Sequence, residues 1–122
     1  MILADSNIWI DHFHAPDQEL LHQLGGQHIV VHSFVVGELA VGPLRNRQRV
    51  LADFAFLPRL REAQASEVMA MIENRKLFNR GIGWTDAHLL AACLIAPGTL
   101  LWTRDVRLGT IAASFSLRAS LP

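Results

Sequence analysis

The sequence predicts an α/β fold in which a parallel β-sheet is covered by helices on both faces. Ile2–Ala4 is a short apolar run of the kind found in strands that are buried on both sides. The run ends abruptly at Asp5, and either Ser6 or Asn7 could then cap a first helix. Similar apolar runs alternate with helical periodicity along the rest of the chain, which is typical of strand–helix units in a parallel sheet.

The bulk composition indicates one domain spanning residues 1–122. This length allows a substantial core, and 51% of the residues are hydrophobic. Eleven Lys and Arg residues balance eleven Asp and Glu residues. The chain therefore lacks the net positive charge that would indicate nucleic-acid binding. The single cysteine, Cys93, excludes an internal disulfide and is typical of a reducing compartment. With no secretory leader and no apolar run of membrane length, we expect a cytoplasmic protein.

Two further strands are expected at His28–Val31 and Thr99–Trp102. Shorter strand segments could add to the sheet within Pro58–Arg61 and at Phe115–Leu117. The predicted helices are one that contains Ile8–Ile10 and others at about residues 18–24, 33–41, 46–57, 66–77, 86–95 and 105–112. The helix at 86–95 is apolar nearly all round, so we expect it to be among the most buried elements.

Four acids lie in strand-end or apolar contexts, where a charge needs a reason. Asp5 and Asp105 follow predicted strands, Asp86 lies in the first turn of the most apolar helix, and Glu38 lies within an apolar helix. The carboxyl ends of parallel strands and the amino ends of the following helices share one side of a sheet. The topology therefore places three of these acids on that side, and Glu38 can reach it from the helix after the second strand.

Four carboxylates in one pocket repel each other and become protonated unless a cation holds them. Oxygen ligands with water suit Mg²⁺, or Mn²⁺ in its place, better than zinc. Such an ion polarises a phosphoryl oxygen and activates water, which is the chemistry of metal-dependent nucleases. Helix capping alone would also favour an acid at Asp5, Asp86 and Asp105. Capping gives no reason for Glu38, so the joint pattern supports the metal site.

Four segments in order resemble the motifs of PIN-domain ribonucleases, and more narrowly those of the VapC-type toxins of bacterial toxin–antitoxin pairs. These segments are Ile2–Asn7, Ser33–Glu38, Trp84–Ala91 and Leu101–Asp105. The resemblance covers essentially the full chain. It implies a three-layer sandwich with a five-stranded parallel sheet flanked by helices. It also implies a Mg²⁺-dependent endoribonuclease that leaves a 5′-phosphate and a 3′-hydroxyl, acts as a homodimer and is silenced by an antitoxin.

The resemblance also implies a role for each site residue. The catalytic carboxylates would be Asp5, Glu38, Asp86 and Asp105. Of these, Asp5, Asp86 and Asp105 would hold the metal, and Glu38 would position or activate the attacking water. Ser6 and Thr103 would assist by hydrogen bonds, and Arg107 would contact substrate phosphate.

Alternatives remain open at this stage. Many family members carry a further acid soon after the one that matches Asp105, but residues 106–109 supply none. One-metal action or a metal recruited with the substrate would follow, and an inactive PIN fold that only binds a partner is a second interpretation. A receiver-like signalling domain would need a lysine after its last strand, whereas the only lysine, Lys76, lies in a predicted helix.

Other side chains have less specific interpretations. The aromatic residues Trp9, Phe13, Phe54 and Phe56 could form core, or line the apolar groove that accepts the antitoxin's C-terminal segment in VapC-type toxins. Six other basic residues could line an RNA path, although helix solvation explains most of them: Arg45, Arg47, Arg49, Arg75, Lys76 and Arg80. No histidine and cysteine spacing indicates a zinc site.

Overall fold

A computed structural model describes residues 1–122 and has a parallel sheet at its centre. The middle strand is β1 (Ile2–Ala4), which lies between β2 (Ile29–Val30) and β3 (Leu100–Trp102). The register pairs Ile2 with Ile29 on one side and with Leu100 on the other. Leu3 and Ala4 of β1 are fully buried, which confirms that the first apolar run is a strand covered on both faces.

Seven helices flank the sheet. They are α1 (Ser6–His14), α2 (Gln18–Gly25), α3 (Ser33–Val41), α4 (Arg47–Phe54), α5 (Ala65–Arg75), α6 (Trp84–Ile95) and α7 (Val106–Ser114). Helices α6 and α7 pack on β3, whereas α1 packs on α3 and α5 packs on α6. Every residue of α6 from Ala87 to Cys93 is buried, as its all-round apolar sequence predicted.

The sheet has three strands, so the predicted count of five is wrong. A single parallel bridge extends each edge instead, between Val31 and Arg59 on one side and between Leu101 and Arg118 on the other. Pro58 explains the first edge, because proline has no N–H group to continue a ladder of backbone hydrogen bonds. Only its carbonyl is used, and it accepts from the N–H of Val31 at 2.9 Å.

The predicted edge strand at Phe115–Leu117 is also wrong. Phe115 caps the end of α7, and Ser116 adopts the left-handed conformation with a φ of 57°. A residue in that conformation turns the chain and cannot continue an extended strand. The chain is extended beside β3 only around Arg118, where the N–H of Ala119 donates to the carbonyl of Leu101 at 2.8 Å.

Buried polar groups are few in this core. Burial raises the pKa of the Cys93 thiol to about 12, so the side chain acts as a small apolar residue.

No helix combines the length and the apolarity that crossing a lipid bilayer requires.

Candidate active site

Short turns at the carboxyl edge of the sheet bring together the ends of two neighbouring strands. Asp5 directly follows β1, and its N–H donates to the carbonyl of Trp102 at the end of β3, with 2.9 Å between the two atoms. Asp105 lies three residues beyond Trp102 and caps α7. Asp86 is the third residue of α6 and Glu38 is the sixth residue of α3.

The Asp5 carboxylate is the most enclosed of these groups, with 6% of the residue exposed. Its Oδ1 accepts from the N–H of Ser6 at 2.7 Å, so Asp5 itself caps α1 instead of the predicted Ser6 or Asn7. Its Oδ2 accepts from the hydroxyl of Thr103 at 2.7 Å and, at 3.3 Å, from the side-chain amide of Asn7. These bonds hold the carboxylate in one orientation.

Thr103 and Asn7 connect the two strand ends. The Thr103 hydroxyl accepts from Nδ2 of Asn7 and from the N–H of Asp105, each at 3.1 Å. The Oδ1 of Asn7 accepts from the N–H of Arg104 at 3.1 Å. The supporting role of Asn7 was missed from the sequence, because two of its three partners, Thr103 and Arg104, lie more than 90 residues away.

Glu38 meets this network from α3. The Ser6 hydroxyl donates to Oε2 of Glu38, because the packing of α1 on α3 brings the two side chains together. Glu38 is otherwise exposed, unlike Asp5. Ser6 thus bridges two carboxylates. Its hydroxyl donates to the exposed Glu38, and its N–H donates to the buried Asp5.

Negative charges at the sheet edge act on two of the four carboxylates, Asp5 and Asp86. The pKa of Asp5 is raised, mainly by burial and further by the negative charges of Glu38 and Asp105, against the opposing hydrogen bonds from Thr103 and Ser6. The pKa of Asp86 is also raised, first by burial and then by the charges of Asp5 and Asp105. The sheet edge therefore concentrates negative charge.

The donor set suits a hard divalent cation, although the side chains are not gathered around one point. No three His, Cys, Asp or Glu side chains stand in an arrangement that would ligate one ion. One oxygen of Asp86 accepts from the N–H of Gly83 at 3.1 Å, and one oxygen of Asp105 accepts from the N–H of Leu108 at 2.9 Å. The other oxygen of each carboxylate makes no hydrogen bond within the chain. These free oxygens and the mutual repulsion fit a Mg²⁺ site chemically.

Arg107 is exposed at the start of α7, two residues after Asp105. Its side chain lies on the backbone of Gly81, where a Cβ atom would stand 2.5 Å from Nη1. Gly81 has a φ of +81°, which L side chains rarely adopt, so the backbone conformation favours glycine at this position. Arg107 therefore lies against the loop that leads into α6 and Asp86.

Arg104 is a structural cation beside the site that the sequence did not single out. Its guanidinium donates to Asp11 at 2.7 Å and to Asp17 at 2.6 Å, which connects the end of β3 to α1 and to the start of α2. The hydrogen bond from Arg104 lowers the pKa of Asp17. No spacing rule could choose these partners among eleven acids, since they lie 87 and 93 residues away.

We expect Arg104→Ala to lower the free energy of unfolding at pH 7 by about 1 kcal/mol, because the two ion pairs are short but partly screened by solvent. Because the folded pKa of Asp17 is depressed, its contribution is present above pH 3.8 and is lost as the pH falls through the folded value. Urea unfolding at pH 7 and at low pH measures both effects. Arg61→Ala is the control, since its contact with Glu67 is 3.7 Å long and exposed. Equal losses in the two variants would contradict the prediction.

A second concave surface lies away from the acids. It is an apolar groove of about 240 Å³. Its lining includes Trp9, Phe13, Leu24, Val50, Phe54 and Leu57. Trp9 and Phe54 are buried and pack edge to face at 4.8 Å, so they are both core and groove floor. Phe56 is 87% exposed and does not line the groove, so both roles predicted for it, in the core or in the groove, are wrong.

This fold and the acidic sheet edge define a PIN domain, and the chain belongs to the PIN domain family, which it matches over residues 2–113. Among known proteins it is similar to "Ribonuclease VapC32" from two strains of Mycobacterium tuberculosis, CDC 1551 / Oshkosh and ATCC 25618 / H37Rv. Each is 38% identical over 113 residues, which cover 93% of this chain and 91% of the relative. The resemblance to VapC-type PIN proteins is therefore confirmed.

Proposed function

We propose that this protein is a Mg²⁺-dependent endoribonuclease that acts as the toxin of a toxin–antitoxin pair. The observation that carries the proposal is the set of carboxylates at the carboxyl edge of the sheet, where the charges of Glu38 and Asp105 act on Asp5 and those of Asp5 and Asp105 act on Asp86. The names of the relatives support RNA as the substrate. The oxygen-rich set favours Mg²⁺ or Mn²⁺ over softer ions.

Asp5, Asp86 and Asp105 would hold the ion, which when bound polarises the scissile phosphate and activates water. The hydrogen bonds from Ser6 and Thr103 fix the Asp5 carboxylate in advance, so little reorganisation is needed. Glu38 is exposed, and its carboxylate can position water and accept a proton from it. Arg107 can pair with a phosphate beside the cut. Since residues 106–109 contain no acid, we infer that one ion suffices or that a second arrives with the RNA.

The test is cleavage of total cellular RNA by the purified protein, freed of any antitoxin, with MgCl₂ and with EDTA. We expect cleavage that requires Mg²⁺ and that leaves 5′-phosphate and 3′-hydroxyl ends, as the resemblance to PIN-domain ribonucleases implies. These ends would form if water attacks the phosphorus and the 3′-oxygen leaves. Cleavage that persists in EDTA would overturn the acidic site. A protein that cuts nothing in Mg²⁺ or Mn²⁺ would instead support the inactive, partner-binding PIN fold.

We further infer that the apolar groove receives the C-terminal segment of the antitoxin. A shallow apolar surface floored by Trp9 and Phe54 suits an amphipathic segment with large side chains. We also propose a homodimer, which is supported by exposed apolar side chains on and after α5, Met69 and Phe78, each about half exposed. Sedimentation of the protein alone and with its antitoxin measures both assemblies.

A further inference from the structure

Trp84 differs from the other two tryptophans in being open to solvent. Trp9 and Trp102 are 4% and 1% exposed, whereas Trp84 is 44% exposed. It is the first residue of α6 and precedes Asp86 by two positions. The exposed part of its ring is available to a ligand, next to the start of the helix that carries Asp86.

Trp84 packs against a row of three aromatic rings that reaches into the core. Trp84 packs edge to face on His88 at 4.6 Å, His88 packs on Phe34 at 4.5 Å, and Phe34 packs edge to face on His32 at 5.1 Å. His32 and His88 are 0% and 4% exposed, so the inner end of the row is anchored in the core. A ring fixed in this way loses little conformational freedom when a second ring stacks on it.

A cation lies beside the same loop. The Arg107 side chain lies against Gly81, three residues before Trp84. The side chains of Arg107 and Trp84 are both exposed. Single-stranded RNA offers what these two groups bind, since unpaired bases stack on aromatic rings and phosphates pair with arginine. A protein partner would require a wider apolar surface, whereas the exposed residues that flank Trp84 in the loop are Gly81 and Gly83, with Arg107 against the same loop.

We propose that Trp84 is a stacking platform for an unpaired base of single-stranded RNA, next to the phosphate held by Arg107. The proposal rests on the proposed ribonuclease function and deepens it. A base stacked on Trp84 would hold one nucleotide beside the start of α6, the helix that carries Asp86. The site would accept any base, with a preference for the larger purines that stack best.

The test uses two single strands, rA10 and rU10, and their duplex, each titrated in EDTA so that no hydrolysis occurs. We expect rA10 to shield Trp84 from acrylamide quenching, because the other two tryptophans are already buried. Trp84→Leu should bind rA10 roughly 5- to 150-fold more weakly, which corresponds to the usual loss of about 1–3 kcal/mol per stacked base. Trp84→Phe keeps an aromatic face and should retain most of the affinity, whereas the duplex should bind wild type and Trp84→Leu alike.

Equal binding of rA10 by wild type and Trp84→Leu would overturn the platform, and so would an absence of shielding by rA10. Shielding that grows with protein concentration in the absence of RNA would overturn it too and assign Trp84 to a contact between copies. Circular dichroism and urea unfolding check that both variants fold. Mg²⁺-dependent cleavage by the wild type is measured in parallel. Cleavage without Trp84-dependent binding overturns only the platform, and Trp84-dependent binding without cleavage overturns only the nuclease.

Discussion

Asp5→Asn is expected to reduce RNA cleavage by roughly 10³-fold or more, because the change removes the charge from the carboxylate at the centre of the proposed ion site. The shape of the side chain is kept, and its remaining oxygen can still accept from the N–H of Ser6. Initial cleavage rates at saturating Mg²⁺ measure the effect. End mapping then shows whether any residual cutting occurs at the same sites.

The same substitution should leave the free energy of unfolding at pH 7 within about 1 kcal/mol of the wild-type value. With the amide oxygen kept toward Ser6, the amide nitrogen cannot accept from Thr103, so that hydrogen bond is lost. The substitution also removes a negative charge that burial disfavours. Glu73→Gln is the matched control, since Glu73 is an exposed acid on α5 whose neutralisation should not change the rate. An Asp5→Asn protein that is folded and still cleaves at the wild-type rate would remove Asp5 from the mechanism.

Mg²⁺ should stabilise the wild-type protein strongly at pH 7 and weakly at a pH below 3.8, where the carboxylates of Asp5 and Asp86 are protonated. In the ion-free protein the raised pKa of Asp5 means that the folded state binds its proton more tightly than the unfolded state does. The contribution of Asp5 to stability therefore falls as the pH rises from 3.8 through the folded value, and the full cost remains at neutral pH. The raised pKa of Asp86 acts in the same direction. A bound cation offsets this cost only where the carboxylates are ionised.

At 100 times its dissociation constant, Mg²⁺ should raise the free energy of unfolding at pH 7 by about 2.7 kcal/mol. Urea unfolding at several Mg²⁺ concentrations and two pH values measures this, and Asp5→Asn should lose most of the increase. KCl at matched ionic strength is the control for simple screening of charge. If KCl stabilised the protein as much as MgCl₂, the carboxylates would hold no specific ion.

Local sequence patterns predicted the buried elements correctly. Ile2–Ala4 is a central strand and α6 is buried along most of its length, because burial on all sides selects apolar residues that are visible one segment at a time. The sheet edges were predicted wrongly, because Pro58 and Ser116 limit each edge to one bridging pair. The sequence of a short apolar segment next to Pro58 or Ser116 does not show whether the segment forms a full ladder of backbone hydrogen bonds or a single bridge.

The candidate site divides in the same way. Acids at strand ends and helix starts follow from topology, so the location of Asp5, Asp86 and Asp105 at one edge could be predicted from sequence. The contacts of Asn7 and Arg104 could not, because each depends on folding that joins residues about 90 positions apart. The cap of α1 was assigned to Ser6 or Asn7, but the side-chain bond comes from Asp5, which thus serves both the helix and the site.

The central position of β1 also affects when the protein becomes active during its own synthesis. β1 leaves the ribosome well before its partner β3, and Thr103, which orients Asp5, follows 98 residues after it. Contacts between residues so far apart in the sequence form only after the intervening chain has collapsed. A nascent chain that ends before Thr103 has one edge of β1 unpaired and lacks Asp105. The translation machinery that makes this chain is therefore exposed to an assembled site only after residues 103–105 have been made.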